Sequence, residues 1–252
     1  MRTTSYRLTS AHPHVHLKAA VVADLHDRPY GEILTVLEYE QPDLILVPGD
    51  LTEWLQGDVA TTHRPGLGFL SEAVKIAPTF YSLGNHEIGA CHRHLRRAGR
   101  VPMEARAVSE AWRSIIAESG AVLLDDTWVT WRGLTIGGIG SGLWNPDRKP
   151  DVAKIRTFAA LPGYKLLMCH HPEYYQRYIQ NLDVDLIVAG HAHGGQWRLF
   201  GRGVYAPDQH LFPRYTSGVH DGRLVISRGT ANTIAPIPRF FNPREVVVIT
   251  VE

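Results

Sequence analysis

Residues 184–193 read Val-Asp-Leu-Ile-Val-Ala-Gly-His-Ala-His, so that a short apolar run ends in a glycine and two histidines. An apolar run of this kind, bounded by turn residues, is typical of a buried β-strand. The same pattern recurs in four other places: Leu17–Ala23 before Asp24, Leu44–Val47 before Pro-Gly-Asp50, Thr79–Leu83 before Gly-Asn-His86, and Lys165–Cys169 before His170. Each predicted strand is therefore followed at once by side chains that can bind a cation or carry a proton.

Amphipathic segments lie between these predicted strands. Apolar side chains recur at helical spacing from Ala105 to Ile116, and Gly120 follows at a position suited to a helix C-cap. Ile33 and Leu37 share a helical face, as do Phe69, Leu70, Ala73 and Val74. Strands that alternate with helices predict an α/β fold.

The second half of the chain has a different character. Pro172 suits the first turn of a further helix that carries Tyr174 and Tyr175. Residues 194–218 are rich in glycine, proline and aromatic residues, and we expect a long ordered loop there. The remaining apolar runs have few helices between them, and they predict a second sheet with antiparallel pairs: Trp128–Trp131, Leu134–Ile139, Leu224–Ser227 and Val246–Val251.

Composition limits the class of protein. The 252 residues are 44% hydrophobic and 20% charged, which is typical of a globular protein, and we expect one domain over residues 1–252. The formal charge of +1 disfavours a protein that coats nucleic acid. Met1–His16 lacks the apolar core of a signal peptide, and no apolar run reaches the length of a membrane span. We therefore expect a cytoplasmic protein without a transmembrane segment, and leave peripheral membrane contact open.

The polar residues after the predicted strands form one candidate site. In α/β sheets, ligands gather beyond the carboxyl ends of the strands, so neighbouring strands would bring these side chains together. Asp24 and His26 are two residues apart, and so are His191 and His193, which in extended backbone would point both members of a pair the same way. The candidate set is Asp24, His26, Asp50, Asn85, His86, His170, His191 and His193.

This set holds too many ligands for a single tetrahedral ion and predicts two divalent cations that share a carboxylate. Two such cations can clamp the attacking and leaving oxygens of a displacement, with a hydroxide held between them as the nucleophile. Oxygen and imidazole ligands without a thiolate suit Mn, Fe or Zn and do not distinguish among these metals.

In chain order, these residues resemble the motifs of calcineurin-like metallophosphoesterases. The matching blocks are Asp24-Leu25-His26, Gly49-Asp50, Gly84-Asn85-His86-Glu87, His170 after an apolar strand, and Gly190-His191-Ala192-His193. Gly194-Gly195-Gln196 and Ile226-Ser227-Arg228-Gly229 resemble the bacterial branch that contains phosphodiesterases and UDP-diacylglucosamine pyrophosphohydrolases. The resemblance implies a four-layer α/β/β/α sandwich with two mixed β-sheets. Glu87 departs from the pattern, because many members carry Asp at that position.

The resemblance also implies a role for each residue. The implied metal ligands are Asp24, His26 and His193 for the first cation, Asn85, His170 and His191 for the second, and Asp50 as the bridge between them. His86 would face the substrate, either as a general acid or as a stabiliser of the phosphoryl oxygens, so His86 and Asp50 are the expected catalytic residues. The residues alone allow either His170 or His171 as the ligand at that strand end, and the family position favours His170.

The implied reaction is hydrolysis of a small anionic phosphoester, more specifically a phosphodiester or a pyrophosphate, whose remaining part could be a lipid or a nucleotide. Three alternatives use the same fold: a serine/threonine-type phosphomonoesterase, a nuclease, and a scaffold that has lost catalysis. The near-neutral charge argues against the nuclease, and the complete set of candidate ligands argues against the scaffold.

Two further features have competing interpretations. The basic run from His92 to Arg100 is either a solvated face or a set of cations that grip a second phosphate or an acidic head group. Aromatic and aliphatic residues follow His193 closely, and they either pack a long loop onto its own body or form an apolar wall for a ligand. They are Trp197, Leu199, Phe200, Tyr205, Leu211, Phe212 and Tyr215.

Overall fold

Two six-stranded β-sheets lie face to face in a computed structural model that describes residues 1–53, 55, 64–89, 108–143, 145, 148–231 and 238–252. The first sheet has the order β1-β16-β2-β3-β4-β5. Its strands are β1 (Arg2–Leu8), β2 (Leu17–Val21), β3 (Leu44–Pro48), β4 (Thr79–Ser82), β5 (Val122–Leu123) and β16 (Glu245–Val251). Only β16 and β2 pair in the antiparallel sense, so the carboxyl ends of β2 to β5 meet at one edge.

The second sheet has the order β14-β15-β9-β8-β7-β6. Its strands are β6 (Thr127–Trp131), β7 (Leu134–Ile139), β8 (Tyr164–Cys169), β9 (Leu186–Ala189), β14 (Gly218–His220) and β15 (Leu224–Ile226). The two outer pairs, β6 with β7 and β14 with β15, are antiparallel, and the inner pairs are parallel. The antiparallel pairs predicted for the second half of the chain are therefore present.

Helices cover the outer faces of both sheets. The described helices are α1 (Gly31–Glu40), α2 (Pro65–Ile76), α3 (Glu110–Glu118) and α4 (Val152–Ala159). Side chains of α1, α2 and α3 pack on the first sheet, and those of α4 pack on the second. These layers confirm the predicted four-layer sandwich. None of the described helices is long and apolar enough to cross a bilayer.

Alternation along the strands explains why two sheets form. In β2, Ala19 and Val21 point into the core between the sheets, whereas Ala20 points toward the helices. In β3, Leu46 faces the second sheet and Ile45 faces the helices. Because successive side chains point to opposite faces, a strand that is apolar at every position must be covered on both sides.

The polar N-terminal segment contains an edge strand, β1, whose backbone pairs with β16 along its full length. Three details differ from the sequence-based expectations. The strand predicted near Val246–Val251 joins the first sheet rather than the second. The segment after Pro172 forms a short π-helical turn, Tyr175–Ile179, instead of a regular helix. The expected loop contains two hairpins, formed by β10 (Arg198–Leu199) with β11 (Arg202–Gly203) and by β12 (Tyr205–Ala206) with β13 (His210–Leu211).

Candidate metal centre

The candidate residues lie just beyond the carboxyl ends of five strands, in agreement with the placement expected from the sequence. The five strands belong to two facing sheets rather than to one: β2, β3 and β4 on one side, β8 and β9 on the other. The side chains meet where the ends of the two sheets face each other, and the charged or polar groups are almost completely buried there.

One group of ligating atoms comes from Asp24, His26 and His193, which offer one atom each within 4.8 Å of one another. The Nε2 atoms of His26 and His193 are 3.3 Å apart, and His193 Nε2 lies 3.7 Å from Asp24 Oδ1. Burial lowers the pKa of His193, and the adjacent His26 lowers it further, so His193 is a neutral imidazole. Neutral imidazole is the form that binds a metal.

A second group comes from Asp50, His170 and His191. Asp50 Oδ2 lies 3.0 Å from His170 Nε2, and the same oxygen lies 3.9 Å from His26 Nε2 in the first group. Burial alone would raise the pKa of Asp50, but the neighbouring histidines, above all His170, hold it well below its usual range. One carboxylate oxygen therefore faces candidate ligands of both groups.

The buried polar atoms of the site fit divalent cations. Asp24 Oδ2 and Asn85 Oδ1 are buried and accept no hydrogen bond within the described part of the chain. A buried acceptor without a donor is costly, and a cation bound at each oxygen would remove that cost. Asn85 directly precedes His86, whose backbone N–H donates to Asp50 Oδ1 at 2.8 Å, so the amide lies in the same turn as the shared carboxylate.

His170 and His171 have different surroundings. His170 Nδ1 lies 2.7 Å from the carbonyl oxygen of Pro48, and its Nε2 faces Asp50. Both ring nitrogens of His171 face other partners: Nε2 lies 2.7 Å from Ser141 Oγ and Nδ1 lies 3.1 Å from Glu173 Oε1. The structure thus places the His170 ring, and not that of His171, against the shared carboxylate.

His86 reaches the same centre from the turn after β4. Its Nε2 lies 3.9 Å from Asp50 Oδ2, and its Nδ1 lies 2.8 Å from Glu53 Oε2. The other oxygen of Glu53 lies 3.4 Å from His26 Nδ1. Burial alone would raise the pKa of Glu53, but the adjacent imidazoles of His26 and His86 hold it well below its usual range, so Glu53 is a carboxylate.

The sequence predicted that extended backbone points both members of each spaced pair toward the site. That reason is wrong, although the residues do lie close together. Asp24 and His26 have φ values of 54° and 51°, and His191 and His193 have values of 64° and 46°. These are left-handed conformations, so neither pair lies on extended backbone. Such conformations are costly for residues other than glycine, and they concentrate at functional sites, where the surrounding structure maintains them.

Glu87 stabilises the turn that carries Asp50. Its buried carboxylate accepts hydrogen bonds from five donors: Tyr81 Oη and the backbone N–H groups of Asp50, Leu51, Thr52 and Gly84. A Cβ atom at Gly84 would collide with Asp50 Oδ1, so only glycine fits there. Glu87 therefore binds the backbone N–H groups of the turn and does not face the cluster of candidate ligands.

The sequence-based interpretation missed three neighbouring groups. Glu53 had a local signal, because an acidic residue three positions after Asp50 falls in the same turn. Asp208 had none: it belongs to the second hairpin of the expected loop, and its Oδ2 lies 3.4 Å from His191 Nε2 while Arg148 donates to its Oδ1 at 2.6 Å. Arg239 lies 3.3 Å from His193 Nδ1, and burial lowers its pKa to about 10.

Two features of the sequence had competing interpretations: the basic run and the apolar residues that follow His193. The basic run from His92 to Arg100 lies outside the described residues. Of the residues after His193, Tyr215 is buried, which agrees with packing of the loop on its own body. The other six are exposed, so self-packing does not account for them.

Comparisons with known proteins give the same family as the motifs. Residues 17–195 match the family model described as calcineurin-like phosphoesterase. Metallophosphoesterase Cj0846 of Campylobacter jejuni is 25% identical over 231 residues, which cover 91% of this chain and 56% of that protein. Phosphodiesterase YaeI of Escherichia coli is 26% identical over 190 residues, which cover 72% of this chain and 62% of that protein. The chain thus spans less than two thirds of the length of these two relatives.

Among solved structures, a metallophosphoesterase from Sphaerobacter thermophilus is 16% identical, with 88% of this chain and 81% of that chain covered and a TM-score of 0.38. The family model alone covers well over half of the sequence. The chain therefore belongs to the calcineurin-like phosphoesterase family.

Proposed function

We propose that the protein hydrolyses a phosphodiester or a pyrophosphate at a centre that holds two divalent cations. The observation that carries the proposal is the position of Asp50 Oδ2, 3.0 Å from His170 Nε2 in one group of ligating atoms and 3.9 Å from His26 Nε2 in the other. The proposed ligands are Asp24, His26 and His193 for the first cation and Asn85, His170 and His191 for the second, with Asp50 shared. The name of one relative, phosphodiesterase YaeI, supports a phosphodiester as the substrate.

When bound, the two cations would neutralise charge on the phosphoryl group and promote the ionisation of a water molecule. The chain's own residues supply the rest. Asp50 places its negative charge between the two groups, and the short backbone contacts around Glu87 keep Asp50 in position. Near-complete burial excludes bulk water, which strengthens each electrostatic interaction in the site.

His86 is the proposed proton donor to the leaving oxygen. Its Nδ1 hydrogen-bonds to Glu53, whose carboxylate accepts, and this contact fixes the ring so that Nε2 points toward Asp50. Proton transfer to the leaving group is worth roughly 10²–10⁴ in rate where that group is a poor one. Glu53 acts through His86 and is a positioning residue.

Hydrolysis of bis-p-nitrophenyl phosphate and of p-nitrophenyl phosphate tests the proposal. The protein is stripped with a chelator and reloaded separately with Mn²⁺, Fe²⁺ or Zn²⁺. We expect activity to return only with metal and to favour the diester. Activity that survives complete removal of metal would contradict the metal centre, and a clear preference for the monoester would contradict the diester assignment.

A further inference from the structure

Large exposed hydrophobic side chains are concentrated in one part of the described chain. Eight of the eleven belong to residues 197–212 or 240–241, which we call the aromatic surface. Its members are Trp197, Leu199, Phe200, Tyr205, Leu211, Phe212, Phe240 and Phe241. Phe200 is completely exposed, with 106% of its reference area accessible, and Phe241 and Phe212 follow at 76% and 67%. Single exposed apolar residues are ordinary, but a contiguous set marks an interaction site.

Backbone hydrogen bonds join the two segments of the aromatic surface. Trp197 forms a β-bridge with Phe240, and its indole Nε1 donates to the Pro238 carbonyl at 2.9 Å. The Val204 N–H donates to the Trp197 carbonyl, and the Phe212 N–H donates to the Val204 carbonyl. The Phe240 and Phe241 rings lie 5.4 Å apart. The exposed rings are thus carried by connected, hydrogen-bonded backbone.

Three of the exposed phenylalanines have a strained backbone conformation. Phe200, Phe212 and Phe241 have φ values of 49°, 50° and 51°. Bulky residues rarely adopt positive φ, where glycine or asparagine is usual. A turn that needed only to connect two strands would be less strained with glycine at these positions. The strain is explained if the phenyl groups themselves serve a purpose outside the folded chain.

Charge around the aromatic surface has one sign. Segments 194–218 and 238–244 contain five arginines, and Asp208 is their one acidic residue. Asp208 is paired with Arg148 and directed toward His191, so it does not offset the arginines at the surface. Arg202 and Arg214 are exposed beside the exposed rings. Arg244 is paired with Glu32, but among the described residues neither Arg202 nor Arg214 forms an ion pair with an acidic side chain. Exposed aromatic side chains beside such arginines match the interface of an anionic bilayer.

We propose that the aromatic surface docks onto an anionic lipid bilayer. The rings of the hairpin tips would enter the interfacial region while the arginines contact anionic head groups. The surface adjoins the candidate metal centre, because Asn242, next to Phe241, donates from Nδ2 to the His193 carbonyl at 2.7 Å. Docking would therefore bring the centre close to the membrane plane. The inference concerns a surface and does not depend on the proposed phosphoesterase activity.

Sedimentation of the full chain with phospholipid vesicles tests the proposal. Vesicles of phosphatidylcholine alone are compared with vesicles that contain phosphatidylglycerol as well. We expect strong binding to the anionic vesicles that weakens with added salt. Phe200→Ser combined with Phe212→Ser should lower the partition coefficient by about a hundredfold, roughly tenfold for each ring withdrawn from the interface. Arg202→Glu should lower binding by about tenfold on anionic vesicles only.

Matched variants separate docking from loss of structure. Tyr39→Ser removes a ring that is 85% exposed on α1, far from the aromatic surface in sequence, and should leave binding unchanged. Phe241→Ser tests a ring outside the two hairpins and should weaken binding by about tenfold. All variants should keep the wild-type melting temperature, because the replaced side chains are exposed.

Three results would overturn the proposal. One is a wild-type chain that does not sediment with anionic vesicles. Another is equal binding by the wild type and the double phenylalanine variant. The third is a wild-type dimer that the double variant converts to a monomer in light scattering, since a second copy of the chain would then cover the aromatic surface.

Discussion

Glu53 holds His86 and His26 with the two oxygens of one carboxylate, at 2.8 Å from His86 Nδ1 and 3.4 Å from His26 Nδ1. A residue proposed to donate a proton and a residue proposed to bind a cation therefore share a single orienting group. Carboxylates that hold the outer nitrogen of a histidine fix the direction of its other nitrogen. Glu53 thus links the proposed chemistry of the leaving group to the proposed metal site.

His86→Asn should slow hydrolysis in a way that depends on the leaving group. For a diester with an alkoxide leaving group, we expect a loss of roughly 10²–10⁴ in kcat, because the proton donor is gone. For bis-p-nitrophenyl phosphate the loss should be much smaller, because p-nitrophenolate departs without protonation. Metal content should not change. Equal losses on both substrates would remove the proton-donor role and leave stabilisation of charge.

Glu53→Gln should lower kcat, as His86→Asn does but to a smaller extent, and should also weaken binding of the first cation. An amide oxygen can still accept from His86 Nδ1 but carries no charge, so kcat for the poor leaving group should fall by about tenfold. Because His26 also loses a carboxylate partner, the affinity for the first cation should fall as well, by about tenfold. Metal titration by calorimetry measures the second effect independently of turnover. Unchanged metal affinity and unchanged kcat together would show that Glu53 is not a positioning residue.

Asp50→Asn should weaken both cation sites together. The shared oxygen would offset positive charge on both proposed cations, so its neutralisation should affect the two sites together. Elemental analysis should give two metal ions per wild-type chain and fewer than one per variant chain at the same free metal concentration. Asp43→Asn is the matched control, because Asp43 accepts a hydrogen bond from the Lys18 N–H away from the site. Saturation of the wild type at one ion per chain would contradict the two-cation proposal.

Asp208→Ala should lower affinity for the second cation more than for the first. Asp208 Oδ2 faces His191 Nε2, and loss of such an outer partner typically weakens metal binding by about 10–100-fold. Asp208→Asn should restore part of the affinity, since its amide oxygen can accept from the same nitrogen. Two-site calorimetric titration distinguishes the cations. A variant that binds both cations as the wild type does would show that the Asp208–His191 contact has no part in metal binding.

Glu87→Gln should destabilise the whole protein. Five donors point at its two carboxylate oxygens, and an amide offers one oxygen and directs an NH₂ group at donors. With hydrogen bonds to a charged group worth about 1.5–3 kcal/mol each, we expect a loss of about 2–4 kcal/mol in the free energy of unfolding. Glu72→Gln on the surface of α2 is the control and should change little. Equal melting temperatures for Glu87→Gln and the wild type would refute the structural role.

The sequence by itself determined the strand ends and the polar residues that follow them. Runs such as Leu44–Pro48 are apolar at every position, and short apolar runs bounded by turn residues are typical of buried strands. Most of the candidate site residues were predictable for the same reason, because residues that end neighbouring parallel strands meet at one edge of their sheet. That the edges of two sheets face each other was decided by the tertiary structure. The family motifs in order then implied the four-layer sandwich, which the structure confirms.

Only the tertiary structure decided what depends on residues distant in the chain. β1 has a weak alternation, with Tyr6 and Leu8 facing the core, but its place at the sheet edge depends on β16, which pairs with it from more than two hundred residues later. The ring of His170, rather than that of His171, faces Asp50 because the carbonyl of Pro48 binds His170 Nδ1 and Ser141 binds His171 Nε2, and both partners lie far from these histidines in the chain. Asp208 reaches His191 through a hairpin whose position depends on the packing of the assembled sheets. Local sequence determines backbone preference and burial, whereas the partner of a buried polar atom is determined by which distant segments the fold brings within hydrogen-bond distance.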